Sequence, residues 1–341
     1  MIENGPQLIR FFSLTAISFI VAILLTPLWT RYLYKYKLSQ KLRQKAWDGT
    51  PAEKYLKLHK KKAGTPSMGG VLIWVTAAVL TLLFNFSRSQ TWLPVFVLVT
   101  TGVLGLVDDY LNVRGIGAVR GLSTKLKFIF QFLIAGLGAW WFFYKLEFST
   151  ILIPAGNLLG LPASLDISWL YIPLFILVVV FITNAVNITD GLDGLAGGTL
   201  AASFGAVAII AWLQGQFGIA IFAGTIVGAL LAFLWFNIYP ARFFMGDTGS
   251  FALGSTLAVL AFLTNSVLVL PIYGFIFVVE ALSSLIQRFS KSQFGKKVFL
   301  IAPIHHHFEA LGWPETKVTM RFWVIGVVTA VIGVILMVIS Q

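Results

Sequence analysis

Long apolar segments alternate with short polar ones along the whole chain. A helix that spans a membrane needs about 20 mostly apolar residues, and Gly and Pro are tolerated within such helices. The apolar segments number ten and lie at 8–29, 67–84, 92–107, 126–144, 169–187, 197–213, 218–236, 250–264, 267–287 and 322–339. The pattern predicts an all-α polytopic integral membrane protein with about ten transmembrane helices, forming a single domain over residues 1–341.

The composition supports this fold class. Of the 341 residues, 58% are hydrophobic and 11% are charged, whereas a soluble domain contains about 25% charged residues. An ordinary soluble protein and a disordered chain are therefore excluded. The absence of cysteine also excludes a disulfide framework, a thiolate nucleophile and a zinc site built from cysteines.

The formal net charge of +12 is distributed unevenly. The loops at 30–66, 108–125, 188–196, 237–249 and 288–321, together with Lys127, hold 22 of the 25 basic residues. Because basic residues concentrate on the cytoplasmic side, these five loops are predicted to be cytoplasmic and both termini to lie outside. The segment 145–168 then lies outside, where its β-branched residues and Pro-Ala-Gly-Asn predict a short hairpin.

Two adjacent acids, Asp108 and Asp109, lie at the cytoplasmic end of the third segment. Neighbouring carboxylates repel, which raises one pKa unless a cation is near. A polar residue pair that only ends the helix is the alternative. However, the C-terminal end of a helix disfavours acids, so a functional role is the preferred interpretation.

A second motif contains Asn187, Asp190 and Asp193, spaced so that a continuous helix places all three on one side. Gly194 and Gly191 permit close approach to the backbone. Grouped oxygen ligands suit Mg²⁺, or the ribose and phosphates of a nucleotide. An Asp/Gly turn between two membrane spans is the alternative.

A third motif places Phe244, Asp247 and Ser250 just before and within the eighth segment. The start of a helix favours phosphate, and Phe244 could stack on a base. Alternatively, Asp247 or Ser250 serves only as the N-cap of the helix.

Three consecutive histidines, His305, His306 and His307, occupy the last cytoplasmic loop. Neighbouring side chains on a helix differ by about 100° in direction, so zinc is disfavoured and a role beside a pyrophosphate fits better.

Two polar residues within the ninth segment, Glu280 and Gln287, share a helix face. A carboxylate inside a membrane is either functional or paired.

The strings GTPSMGG (64–70), VDDY (107–110), NAVNITDGLDGLA (184–196), FFMGDTGS (243–250) and APIHHHFE (302–309) closely resemble the phospho-N-acetylmuramoyl-pentapeptide transferase family. This family belongs to the polyprenyl-phosphate N-acetylhexosamine-1-phosphate transferases. The resemblance covers essentially the whole chain, and all five strings lie in predicted cytoplasmic loops or at their edges. GTPSMGG and HHHFE are the strings that indicate the muramoyl branch.

The resemblance implies transfer of phospho-N-acetylmuramoyl-pentapeptide from its UDP donor to undecaprenyl phosphate, giving lipid I and UMP with Mg²⁺ as cofactor. It implies a bacterial inner-membrane enzyme of peptidoglycan synthesis, in contact with membrane lipids. No nucleic-acid partner is expected. The family often forms homodimers, but no part of the sequence identifies a dimer face.

Residue roles follow from the same resemblance. It implies that the reaction is carried by Asp108, Asp109, Asp247, His305, His306 and His307, with Asp247 as the Mg²⁺ ligand. It implies substrate contacts for Asn187, Asp190, Asp193, Gly194, Phe244, Lys60, Thr65, Lys125 and Gln287.

One departure from the family pattern concerns Asn112, which stands where a Lys commonly follows the acidic pair. Arg114 or Lys125 is expected to supply the missing cation. Direct attack by the lipid phosphate is favoured over a covalent enzyme intermediate, but the sequence decides neither this nor which of the two aspartates acts as base.

Two alternative functions fit parts of the sequence less well. A sister transferase that uses UDP-N-acetylglucosamine is disfavoured by the HHHFE string. A transporter would carry ionisable residues deep in several helices, whereas Glu280 is the one clear case here.

Overall fold

The computed structural model describes residues 4–39, 62, 64–116 and 121–340. The helices are α1 (Gly5–Lys35), α2 (Val71–Phe84), α3 (Trp92–Arg114), α4 (Thr124–Lys145), α5 (Tyr171–Thr189), α6 (Leu195–Leu213), α7 (Phe217–Asn237), α8 (Gly246–Leu263), α9 (Leu270–Tyr273), α10 (Phe275–Phe294), α11 (Ile304–Ala310) and α12 (Glu315–Val338). The strands are β1 (Thr150–Leu152) and β2 (Ser164–Asp166). The predicted all-α polytopic membrane fold is confirmed.

Every predicted apolar segment contains a helix, but the segments differ in their ability to span a membrane. Within the described residues, eight helices are long and apolar enough to cross a bilayer, namely α1, α3, α4, α5, α6, α7, α8 and α12. The chain is therefore a multi-pass membrane protein. The count of ten spans and the orientation of the termini stay predictions.

The two remaining segments are shorter or interrupted. The helix within segment 67–84 has 14 residues, about 21 Å at 1.5 Å per residue, because residues 67–70 precede it as irregular backbone. Segment 267–287 is divided at Gly274 into α9 and α10. Helix α10 continues to Phe294, and its sequence includes the polar residues Glu280, Gln287 and Arg288.

The hairpin predicted within 145–168 is present. Strands β1 and β2 pair antiparallel, with Thr150 opposite Asp166 and Leu152 opposite Ser164. Its position outside the membrane follows from the predicted orientation and remains a prediction.

Helix α8 forms the centre of the bundle, with 94% of its residues buried. It packs against α3 and α5, and also contacts α2 and α6. Small residues permit this close packing: a Cβ on Gly105 would lie 2.2 Å from the carbonyl oxygen of Asp247, and one on Gly254 would lie 2.8 Å from the Cα of Thr183. Close backbone approach at glycines is typical of membrane helix interfaces.

The outer helices carry the apolar surface. In the apolar 18-residue stretch of α1 only 17% of the residues are buried, and the corresponding share is 28% in both α4 and α12. Exposed leucine, isoleucine, valine and phenylalanine side chains cover these three helices. A surface of this kind is expected to contact lipid tails, because water would penalise so much exposed apolar area.

One end of the bundle gathers the polar motifs. Helices α2, α4, α6, α8 and α12 begin there, and α3, α5 and α7 end there. Hydrogen bonds join these ends directly, since Asp109 accepts from Thr248 and Asp190 accepts from Gly246. The start of α8 therefore lies in the middle of a cluster of polar residues.

Candidate active site

A lysine joins two of the predicted site aspartates. The ammonium Nζ of Lys127 lies 2.6 Å from Oδ2 of Asp108 and 2.8 Å from Oδ2 of Asp247. The second oxygen of Asp108 accepts a hydrogen bond from the backbone N–H of Leu122. Charge-assisted contacts of this kind are short and strong. The sequence assigned the cation beside Asp108 to Arg114 or Lys125, whereas the structure shows Lys127 in that position.

The other oxygen of Asp247 is held by Asn187. The amide Nδ2 of Asn187 donates to Oδ1 of Asp247 at 2.8 Å and to Oγ of Ser250 at 2.9 Å. Ser250 in turn donates to the carbonyl of Gly246. Both carboxylate oxygens of Asp247 are thus oriented by side chains from other helices, yet its side chain retains 18% exposure.

Asp109 faces the start of α8. Its Oδ2 accepts from the backbone N–H of Thr248 at 3.1 Å, and its side chain is fully buried. A carboxylate at the start of a helix satisfies a backbone donor that has no partner within the helix. Asp109 therefore fixes the helix end that carries Asp247, whereas Asp108 contacts the cation.

Asp190 contacts the same helix start from α5. Its Oδ2 accepts from the backbone N–H of Gly246 at 3.1 Å. Burial raises the pKa of the Asp190 carboxyl to about 7, although the hydrogen bond from Gly246 opposes the shift. Because burial disfavours the charged form, any cation that binds beside Asp190 favours its ionisation.

The loop that contains the GTPSMGG string (64–70) pairs with the segment before α8. The backbone N–H of Phe244 donates to the carbonyl of Pro66, while Gly69 and Gly70 donate to the carbonyls of Phe244 and Met245. No side chain fits at the two glycines: a Cβ on Gly69 would lie 2.3 Å from the ring of Phe243, and one on Gly70 would lie 2.2 Å from the Cα of Gly249. These glycines therefore permit the loop to pair closely with the segment before α8.

Asp193 belongs to a second cluster. Its Oδ2 accepts from the backbone N–H of Ala241 at 2.9 Å, and its Oδ1 lies 2.8 Å from Nζ of Lys62. Lys62 also contacts Glu315 and lies 5.8 Å from the centre of the Phe244 ring. Burial lowers the pKa of Lys62, but the carboxylates of Glu315 and Asp193 more than offset this, so that the pKa is raised and the ammonium stays charged.

Gly194 fits its position for a conformational reason. Its φ of +77° lies in the left-handed region, which favours glycine. Its backbone N–H donates to Oδ1 of Asn237, and its carbonyl accepts from Nε1 of Trp323. This residue therefore sets the direction in which α6 leaves the Asp190–Asp193 turn.

The three histidines make three different contacts. Nδ1 of His305 lies 2.8 Å from Oε2 of Glu280, and Nδ1 of His306 lies 2.7 Å from Oε2 of Glu309. Nδ1 of His307 accepts from the backbone N–H of Leu300. The three Nδ1 atoms thus contact three separate partners in the described part of the chain.

The remaining sequence-predicted residues lie at the edges of this region or outside the described part of the chain. Gln287 hydrogen-bonds the backbone of Val298 and Phe299, and Thr65 donates its backbone N–H to Lys62. Lys125 is exposed at the start of α4. Lys60 lies outside the described residues.

Three residues of the site were not identified from the sequence, namely Lys127, Lys62 and Glu315. A signal existed for Lys127, because it is a cation within an apolar segment that begins at residue 126. Lys62 is one of three consecutive lysines and Glu315 lies 122 residues from its partner Asp193, so no local pattern distinguished either of them.

The site carboxylates are candidate ligands for Mg²⁺. No group of three or more His, Cys, Asp or Glu side chains is arranged as a metal cage within the described residues. Such a cage is not required, since Mg²⁺ commonly binds through one or two carboxylates, several waters and substrate phosphates. Asp108 and Asp247 already face one cationic group between them, and the donor set of carboxylate and amide oxygens fits a hard cation.

Partly buried carboxylates, an amide and two lysines at one end of a membrane helix bundle are suited to a phosphorylated ligand. The comparison with known families agrees, because Glycosyl transferase family 4 matches residues 91–265. This range covers α3 through α8 and includes Asp108, Lys127, Asn187 and Asp247. The chain is thus a membrane-integral phosphoglycosyl transferase.

A more specific match concerns the loop before α2. Residues 62–73 match signature 1 of phospho-N-acetylmuramoyl-pentapeptide-transferase. Proteins of that name from Geobacillus thermodenitrificans and Anoxybacillus flavithermus are each 41% identical to this chain, and the matches cover 94% and 93% of it and 95% of each relative. The relative from Halalkalibacterium halodurans is 40% identical over 94% of this chain and 95% of its own. The chain belongs to the phospho-N-acetylmuramoyl-pentapeptide transferase family.

Proposed function

We propose that the protein transfers phospho-N-acetylmuramoyl-pentapeptide from UDP-N-acetylmuramoyl-pentapeptide to undecaprenyl phosphate, giving lipid I and UMP. The observation that carries this proposal is the contact of Lys127 with both Asp108 and Asp247, beside Asn187. Phosphoryl transfer requires mainly positioning and charge stabilisation, and this cluster supplies fixed charges of both signs. Family membership supports the choice of the muramoyl donor and the prenyl phosphate acceptor.

The UDP part of the donor is assigned to the surface between Phe244 and the Asp190–Asp193 turn. Phe244 is half-buried, so one part of its ring remains available to stack on uracil, as aromatic side chains do with bases. Lys62 lies beside this ring and contacts Asp193. Asn187 and Asp190 then face the ribose and phosphates.

The chemical step is direct attack by the lipid phosphate. An oxygen of undecaprenyl phosphate forms a bond to the phosphorus attached to the sugar, and the bond from that phosphorus to the UMP oxygen breaks. A phosphate monoester is already largely ionised near neutrality, so it needs little activation by a base.

Lys127 orients the reacting groups in this scheme. Its ammonium is held by two carboxylates, and anionic phosphates entering the site experience that positive charge at a fixed position. Fixed charges in a site shielded from water contribute to catalysis because they need no reorganisation during the reaction.

Mg²⁺ is the proposed cofactor, with Asp247 as its protein ligand. Asp247 would hold the ion, which would supply positive charge to offset the negative charge of a diphosphate. Asn187 holds the carboxylate of Asp247 in position for this role. Asp190 contacts the backbone one residue before Asp247 and supports the same helix start.

The histidines are proposed to support neighbouring parts of the site. His305 is fully buried, and a Cβ on Gly191 would lie 2.3 Å from its Nε2. The imidazole therefore supports the backbone of the Asp190–Asp193 turn. Direct participation of His305, His306 and His307 in the reaction remains a prediction from the family resemblance.

The cellular setting is part of the proposal. The basic residues favour an active site on the cytoplasmic face of the bacterial inner membrane, where a cytosolic UDP donor meets a lipid acceptor. The whole chain, residues 1–341, is assigned to one integral membrane domain. A homodimer stays an expectation from the resemblance.

A UMP-release assay with purified protein tests the proposal. Release is expected with UDP-N-acetylmuramoyl-pentapeptide and undecaprenyl phosphate together, to disappear without the lipid phosphate, and to require Mg²⁺. UDP-N-acetylglucosamine serves as the competing donor, and a preference for it would overturn the muramoyl assignment. Absence of UMP release with either donor would contradict transferase activity.

A further inference from the structure

Glu315, the first residue of α12, is bound to two parts of the site at once. Its Oε1 accepts a hydrogen bond from the backbone N–H of Asp193 at 2.6 Å, and the same oxygen contacts Nζ of Lys62. The side chain is only 11% exposed. One carboxylate oxygen therefore connects the GTPSMGG side of the site to the Asp190–Asp193 turn.

Helix α12 holds Asp193 through a second contact as well. Oγ1 of Thr319, one turn after Glu315, donates to the carbonyl of Asp193 at 3.2 Å. The side chain of Asp193 is then directed to Ala241 and Lys62. Both the backbone and the carboxylate of Asp193 thus have fixed partners, and α12 supplies those of the backbone.

Lys62 extends this arrangement to Phe244. Its ammonium lies 5.8 Å from the ring centre, a distance at which the positive charge is attracted to the ring face. The ammonium is held there by Asp193 and Glu315. Loss of the Glu315 charge leaves Lys62 with one carboxylate, so its position relative to the ring becomes less restricted.

We propose that Glu315 is a positioning residue that sets the affinity for the uridine nucleotide of the donor, by holding Lys62 beside Phe244 and Asp193 in contact with Lys62. This inference rests on the proposed function, since it takes the surface beside Phe244 as the uridine site. Glu315 belongs to a cluster separate from Lys127, Asp108 and Asp247. Its effect is therefore on donor binding and not on the transfer step.

The variant Glu315→Gln tests the inference, because glutamine keeps an oxygen acceptor for Asp193 and removes the charge that holds Lys62. The KM for the UDP donor is expected to rise about tenfold, with kcat within about twofold and the KM for undecaprenyl phosphate unchanged. The Kd for UMP, measured by calorimetry without turnover, is expected to rise in the same proportion. Glu147→Gln makes the same chemical change at an exposed position near the hairpin and serves as the control.

The variant Lys62→Met removes the contact between Glu315 and Lys62 by changing the lysine. If Glu315 acts through Lys62, the double variant is expected to raise the donor KM no further than Lys62→Met alone, since effects within one network are not additive. An unchanged donor KM in Glu315→Gln overturns the proposal, as does an equal loss in kcat and in affinity for both substrates. If Glu315→Gln does not purify in folded form, an unchanged donor KM in Lys62→Met overturns it instead.

Failure of the underlying function would be recognised separately. If the wild-type protein releases no UMP from either UDP donor, the proposed function is wrong. If the wild-type protein is active and the variants retain its donor KM, the function stands and the role of Glu315 is wrong.

Discussion

Nδ1 of His305 and Oε2 of Glu280 lie 2.8 Å apart, and both side chains are almost completely buried. Nε2 of the same imidazole and Oε1 of the same carboxylate have no hydrogen-bond partner in the described part of the chain. The contact joins α10 to α11 and directs the imidazole toward the backbone of Gly191. A buried pair of this kind holds a ring in one orientation, because each group would be costly to leave unpaired.

The variant Glu280→Gln is therefore expected to lower both stability and turnover. Replacing the carboxylate weakens the contact with Nδ1 and adds a buried N–H donor, which should cost about 1–3 kcal/mol in the free energy of unfolding. Thermal unfolding in detergent, followed together with UMP release, measures the two effects. Glu147→Gln provides the control, and a variant with wild-type stability and turnover would contradict the positioning role of Glu280.

The contributions of Lys127 and Lys125 to turnover can be distinguished by matched substitutions. Lys127→Met leaves Asp108 and Asp247 without their shared cation, so turnover is expected to fall at least about 100-fold. Lys125 is exposed, and the structure predicts a much smaller effect for Lys125→Met. UMP release under saturating substrates compares the two variants, with Lys145→Met at the opposite end of α4 as the control. A larger loss in Lys125→Met would favour the assignment made from the sequence.

Most helices and the main site motifs could be predicted from the sequence. Membrane helices require long apolar segments, and the polar residues between those segments are easily recognised. All ten apolar segments contain helices, and the motifs at Asp108, Asn187 and Asp247 converge around Lys127 and the start of α8. The sequence could not show that segment 67–84 begins with backbone paired to Phe244 and Met245, since that pairing depends on a distant part of the chain.

The different partners of Asp108 and Asp109 could not be predicted from the sequence either. Asp108 and Asp109 are adjacent, and nothing local indicates that one contacts Lys127 while the other accepts from Thr248. Consecutive residues on a helix point about 100° apart, so their partners depend on which helices pack on either side. The contact between Glu315 and Asp193 joins the start of α12 to the turn before α6, and no spacing in the sequence indicates it.

Asp247→Asn is expected to abolish turnover. An amide cannot supply the anionic oxygen that Mg²⁺ prefers, and it also weakens the contact with Lys127. UMP release should therefore stay low across a Mg²⁺ titration that saturates the wild-type protein. Near-normal activity in this variant would remove Asp247 from the mechanism, whereas activity that returns at high Mg²⁺ would identify weakened metal affinity as the main defect.

Gly191→Ala tests whether His305 must lie against the Asp190–Asp193 turn. The added Cβ would lie 2.3 Å from Nε2 of His305, and the imidazole cannot yield easily because Glu280 holds its other nitrogen. Overpacking of this kind costs about 1–3 kcal/mol, and displacement of the turn should also lower turnover. Gly136→Ala is the matched control, since a Cβ at that helical position meets nothing within 4 Å and alanine favours the helix. Thermal unfolding and UMP release are therefore expected to worsen in the first variant alone, and equal behaviour of the two would show that the turn tolerates a displaced imidazole.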